Sequence, residues 1–440
     1  MRRALVRFAL FTFAASAGGV AACNPSDPTS PAPDGGTPST CVAPSGPVIE
    51  HQATITADET WSADSVHLVT FGFSIKKGAT LTIAPCTIVK LKAGYSITAD
   101  GGNLVAQGTP SEPIQFVADD PSQPWGSIMV YAPGTAKLAY ATLSDLGATS
   151  GFAGVEALGD QLLPSQEILD VDHVTIKNSQ NYGVSLRAGG AFTKTSNALT
   201  ITGGKKSPVR SLPRLLSNLP VGSYTGNAVD EITIAPENYG DVNYEDVTFH
   251  DRGVRYRVGD PNTGTRFWIG PSHFTLTIEP GVKLAFGAAG LIETKTDKGS
   301  TGVLSAKGTA EKPIVFTSAS ATPAAGDWQG VVFDAADPGN ALDHVEVRYG
   351  GGPSGANSFH CEPDGGFSKS EDALVTIYGE PSSAFVTNSL LSQSKGAGID
   401  LAYTGASVDM RPTNTFEGIG GCKLTTPRPK TGQCPVQACN

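Results

Sequence analysis

The densest set of side chains able to do chemistry lies at His250, Asp251, Arg252, Arg255, Arg257 and Asp260. Imidazole and carboxylate groups exchange protons near neutral pH, and guanidinium groups hold anions. A catalytic reading therefore rests on His250, Asp251, Arg252 and Arg255. The plain reading is a solvated turn, since HDRG separates Phe249 from Val254.

Other charged groups are weaker candidates. Asp170, Asp172, His173 and Lys177 fall along one strand-like stretch, and the two aspartates share a face by alternation. Asp343-His344-Val345-Glu346-Val347-Arg348 also reads as a two-faced strand. Lys205, Lys206, Arg210 and Arg214 form a basic patch that could touch acidic glycans or phospholipid headgroups, or be merely solvated. Asp119-Asp120 supplies two carboxylates, short of the oxygen set that calcium takes. No Walker A, dinucleotide-binding, HExxH or GxSxG pattern occurs.

The cysteines point to export. Arg2, Arg3 and Arg7 precede a 13-residue apolar run, Phe8 to Val20, which is shorter than the about 20 residues a membrane span needs. A basic start, a short apolar run and small residues make an export signal. Val20-Ala21-Ala22-Cys23 resembles the bacterial lipobox, which implies that Cys23 is acylated and becomes the mature N-terminus; plain cleavage after Ala22 is the alternative. Asn24–Thr40 is rich in Pro, Ser, Thr and Gly and reads as a flexible tether. The expected location is the cell envelope, lipid-anchored to a bacterial membrane, with the outer membrane or cell surface favoured. Cys41, Cys86, Cys361, Cys422, Cys434 and Cys439 remain, an even number suited to disulfides. Terminal position pairs Cys41 with Cys86, and leaves the last four to pair among themselves. With no CxxC and no histidine at ligand spacing, zinc is the weaker reading.

The elements that must position these groups follow from composition and self-comparison. Only 16% of the 440 residues are charged, while Gly (52) and Pro (31) are plentiful. That favours short strands and turns over long amphipathic helices. A net charge of −10 gives no support to nucleic-acid binding. Thr80–Pro85 recurs at Thr275–Pro280, and Gly102–Phe116 recurs at Gly302–Phe316 with 8 of 15 residues shared. Trp125 answers Trp328, and offsets rise from 188 through 195, 200, 203 and 204 to 215. One duplicated module with insertions at its turns produces such a rise. Stacked coils grow by duplication without a redesigned core, so the repeat selects a β-solenoid. The expected order is signal peptide 1–22, lipidated Cys23 with linker to 44, module one 45–190, connecting coils 191–244, module two 245–421, and a cysteine-bearing tail 422–440.

The phrase TLTI-x-P, then G-x-L-x-A-x-G-T with P-I-x-F, then Trp and Gly, resembles right-handed parallel β-helix proteins of the pectate-lyase-like superfamily. The pattern covers 61–146 and 249–350, and 168–190 and 385–401 resemble later coils. The resemblance implies an all-β right-handed parallel β-helix, and polysaccharide lyase or glycoside hydrolase activity as one alternative. A lyase would imply Ca2+; no other cofactor is expected. The polygalacturonase-type signatures Asn-Thr-Asp, Gly-His-Gly and Arg-Ile-Lys are absent. Cys86 stands where the second copy has Gly281, which adds to its pairing with Cys41. No acid–base set recurs in both copies, so the reading is a tethered, non-catalytic β-helix binding glycan, wall or envelope protein. A structural surface spacer is a further alternative.

Overall fold

The inward rows show why these residues form these strands. The β-branched and aliphatic side chains of successive short segments alternate, one set facing in and the next out. In the computed structural model the inward set stacks rung upon rung. Ile75, Ala99, Val130, Ala157, Leu186, Ser211, Ile234, Val258, Phe286 and Ser318 occupy one continuous inner row, each in register with the next. Each rung buries the apolar face of its neighbour, and the strands sit about 4.8 Å apart. The structure describes residues 39–148, 151–235, 242, 244–259, 265–353, 372–427 and 438–440.

The chain is a parallel β-helix with three faces. In the first copy, Thr80–Ile83, Ile88–Leu91 and Ile97–Asp100 are one coil, and Asn103–Gln107, Ile114–Ala118 and Ile128–Tyr131 are the next. The third-face sheet runs through 13 strands, from Phe73–Lys76 to Thr415–Ile419. Named strand pairs are parallel, except the two-residue hairpin Thr296–Asp297 with Ser300–Thr301. Among the described residues the one helical element is a 3-10 turn, Pro213–Leu215, in the connecting coils.

Ser39–Asn440 is one compact unit, so the two copies share a single column. Their repeated phrases make the same contacts. Trp125 and Trp328 are fully buried, and each indole Nε1–H donates to a carbonyl, Ser144 and Arg348 respectively, at 2.8 Å. Thr109 Oγ1 accepts from the Glu112 amide at 3.1 Å, and Thr309 Oγ1 from Lys312 at 3.0 Å, which explains the GT motif. The glycine before each threonine is required by close approach. A Cβ on Gly108 would lie 2.9 Å from the Tyr140 carbonyl, and one on Gly308 would lie 2.5 Å from that of His344.

The copies nevertheless differ in phase. Ile88–Leu91 lies on the second face with Ile114–Ala118, but its repeat, Lys283–Phe286, continues the third-face sheet. The repeat of the first copy's third-face strand, Leu291–Thr294, lies in a separate sheet. The connecting coils are therefore not a whole number of turns, and every strand of the second copy sits one face further round.

Two local readings are refined. Gln166–Lys177 is one 12-residue strand serving two faces, because a single residue of positive φ, His173, turns the corner. The folded body begins before residue 45: the Thr40 amide donates to the Ser111 carbonyl at 2.7 Å, and Cys41 is bonded to Cys86. Cys86 takes a positive φ of 64°, where the second copy has Gly281 at 89°. At the other end Cys422 is bonded to Cys439, and Thr425 bridges Cys439. Cys23, Cys361 and Cys434 lie outside the described residues, as does Asp260.

Candidate binding groove

The turn between the second and third faces recurs on each coil at one corner of the column. Coil by coil it carries Lys205 and Lys206, then Thr225–Asp230, then Asp251–Val254, then Gly281. Backbone bonds hold the rungs together there: the Ala228 amide donates to the Gly204 carbonyl at 2.8 Å, and the Gly204 amide to Asn227 Oδ1 at 3.0 Å. The third-face strands that follow present Arg210, Glu231, Thr233, Arg255, Arg257 and Lys283 outward. Part of this corner, from Thr225 to Lys283, forms a groove of about 720 Å³ lined by Asp230, Glu231, Asp251, Arg255, Lys283 and Val229, among others.

Its carboxylates are engaged by the protein. Glu231 is buried, with Arg255 against Oε1 and Arg257 Nε 2.7 Å from Oε2. Arg257 also donates to Thr233 Oγ1 at 3.3 Å. Asp230 accepts the amides of Gly226 and Asn227 at 3.1 and 2.8 Å, closing its own turn. Asp251 Oδ1 accepts the Gly253 amide at 3.0 Å. Among the described residues Lys205, Lys206, Arg210 and Lys283 make no ion pair.

The cluster singled out in the sequence is thus divided. His250 and Arg252 reach to the preceding coil, His250 Nε2 lying 3.0 Å from the Ser217 carbonyl and Arg252 Nη2 2.6 Å from that of Leu219. His250 Nδ1 lies 2.9 Å from Glu279. These two side chains bind coils together and do not line the groove. Asp251 and Arg255 do line it, which makes HDRG a turn with one flank on the groove.

The basic patch is corrected at one position. Arg214 is buried, donating to the carbonyls of Leu163 and Gln161 at 2.6 and 3.2 Å and lying over the Tyr244 ring. Lys205 and Lys206 are exposed and Arg210 is half-buried, none of them lines the groove, and Lys206 lies over the Tyr182 ring at 5.1 Å. Sequence reasoning missed Asp230, Glu231 and Lys283. The available signal was register: Glu231 and Arg255 are partners on adjacent strands.

The other candidates have protein partners. Asp170 accepts from Thr193 Oγ1 at 2.7 Å, and Asp172 lies 2.8 Å from His173. Asp120 accepts from Ser122, while Asp119 faces Lys90 at 3.8 Å. Among the described residues no three His, Cys, Asp or Glu groups are placed to hold a metal ion.

Residues 267–359 match the family model of the pectate-lyase like beta helix domain. This stretch is a pectate-lyase-like β-helix domain. The match covers most of the second copy's regular coils and part of the groove wall, including Lys283. Coils outside it share the domain's geometry, as the paired tryptophans and threonines demonstrate. No curated protein and no solved structure matches the chain.

Proposed function

We propose that this protein is an exported, lipid-anchored β-helix of the bacterial cell envelope that binds a glycan or wall polymer in the corner groove without cleaving it. The observation that carries the binding reading is the state of the groove's charges. Asp230, Glu231 and Asp251 are each held by protein donors, whereas Lys283 on the groove wall makes no ion pair and is left to meet a ligand. A glycan-cleaving pair of carboxylates needs one group to give a proton and another to act as base or nucleophile. With protein donors on all three carboxylates, the groove offers no uncommitted pair for such a division. The anchoring reading rests on the basic start, the short apolar run and the lipobox-like Val20–Cys23.

The test is a polysaccharide and wall-polymer array probed with the whole detergent-solubilised protein. Saturable binding is expected, weakened at least tenfold by Arg255→Ala with Lys283→Ala. Release of reducing ends or unsaturated sugars would instead establish a hydrolase or lyase. Radiolabelled fatty acid should enter the wild type and not Cys23→Ser; labelling of both, or of neither, would overturn the anchor.

A further inference from the structure

A second constellation lies on the sheet of Leu291–Thr294 and Gly330–Phe333, away from the groove. Thr294 and Phe333 are register partners, so the next residues, Lys295 and Asp334, leave adjacent coils side by side. Lys295 Nζ lies 3.4 Å from Asp334 Oδ2 and 2.6 Å from Glu293 Oε1. The Glu293 side chain is nearly all buried, at 4% exposure, and its other oxygen, Oε2, has no hydrogen-bond partner. Trp268, the register partner of Glu293, presents its ring 5.5 Å from the ammonium.

These are the parts of an intramolecular condensation: an amine, a carboxyl within reach of it, and a buried carboxyl able to carry protons between them. We propose that Lys295 and Asp334 become joined by an isopeptide bond, with Glu293 as the proton carrier. Glu293 takes a proton from the Lys295 ammonium, and the freed amine attacks Asp334 Cγ. The Nζ–Cγ bond forms and one Cγ–O bond breaks. The departing oxygen receives the proton held on Glu293 and a second one from the nitrogen, and leaves as water. Ammonium plus carboxylate gives amide plus water, with no oxidant or other reactant.

Two physical features favour the step. Register holds the reacting groups together, and well-oriented intramolecular reactions reach effective molarities of about 10⁵–10⁸ M. Burial pushes the Glu293 carboxyl up from the ordinary carboxylate range, against the Lys295 hydrogen bond and with the Asp334 charge adding to it, which favours its protonated form as carrier. The product replaces charges on a largely covered sheet by one neutral amide that ties two coils together.

Mass spectrometry of the full-length protein, reduced, denatured and digested, tests the proposal. The expected result is a branched peptide joining the segments around Lys295 and Asp334, lighter than its two parts by one water. Glu293→Gln and Lys295→Arg should each yield the two separate peptides at full mass. Asp334→Asn should still join, losing ammonia in place of water, which keeps the test decisive should Glu293→Gln fail to fold. Separate full-mass peptides from wild type, or water loss without a branched peptide, would overturn the bond and leave an ordinary ion triad.

Discussion

The two copies match closely where their aromatic side chains turn inward and differ in what those side chains can do. In the first, Trp61 stacks on His67 at 4.9 Å and packs against Phe73 at 5.8 Å. In the second, Phe249 stacks on Tyr256 at 5.3 Å and on Phe267 at 6.0 Å. His67 and Tyr256 even bond to corresponding carbonyls, those of Ser62 at 3.0 Å and His250 at 2.6 Å. Ser62 O can only accept, so His67 carries its hydrogen on Nε2 and offers Nδ1 to His51 Nε2 at 2.9 Å. One copy thus has a titratable stack where the other has none. Shape fixes the inward positions, while their chemistry is free to diverge.

The largest expected effect tests the equivalence itself. Trp125→Ala and Trp328→Ala should each cost about 3–5 kcal/mol, since each removes a fully buried indole and its hydrogen bond. Urea melts followed by circular dichroism would measure both, and a near-zero loss at one site would break the comparison.

Next comes the covalent difference. Cys41→Ser with Cys86→Gly opens a link spanning 45 residues and should lose about 2–4 kcal/mol. Cys41→Ser with Cys86→Ala should lose about 1 kcal/mol more, because alanine is strained at positive φ and glycine is not. Equal melting temperatures for the two double variants would show that the φ at this position carries no cost.

Smaller still, Thr309→Ala should cost about 1 kcal/mol by leaving the Lys312 amide without its hydroxyl acceptor, and Thr109→Ala less, because the Glu112 amide also donates to the Thr109 carbonyl at 3.1 Å. Equal losses in the melts would show that the extra backbone acceptor in the first copy makes no difference. The two losses should add in the double variant, since the sites are far apart.

The smallest effect is in pH. Burial, then the neighbouring His67, lowers His51 from 6.5 to about 4, with Glu59 opposing. Burial lowers His67 as well. The unfolded chain therefore binds more protons than the folded one between those values. The stability these histidines contribute is complete above pH 6.5 and is lost as pH falls toward 4. Partial solvent exposure limits this to about 1 kcal/mol. His51→Gln with His67→Tyr, which copies Tyr256, should flatten the dependence in hydrogen exchange of the first coils. An unchanged slope would place the titration elsewhere.

Much of the fold was legible because stacking imposes a repeating code. The paired TLTI phrases, the GT turns and the two tryptophans each specify a contact made within one or two coils. The groove was not legible, because its walls come from Thr225, Asp230, Asp251 and Lys283, which only the winding brings together. Arg214 looked like one more surface cation, and its burial depends on carbonyls 51 and 53 residues earlier. The offset rise near residue 300 did carry a signal. The extra residues follow Lys295 and form the hairpin Thr296–Thr301.

The one-face phase step has a consequence for valency. A rod whose halves carried matching strips on the same side would grip a long straight chain twice in succession. Here the corresponding strips look toward different compass points around the axis, so a straight filament meets dissimilar stretches as it passes from one half to the other. A molecule of this form sets its repeated strips on separate flanks, and is laid out more as a bracket than as a ruler.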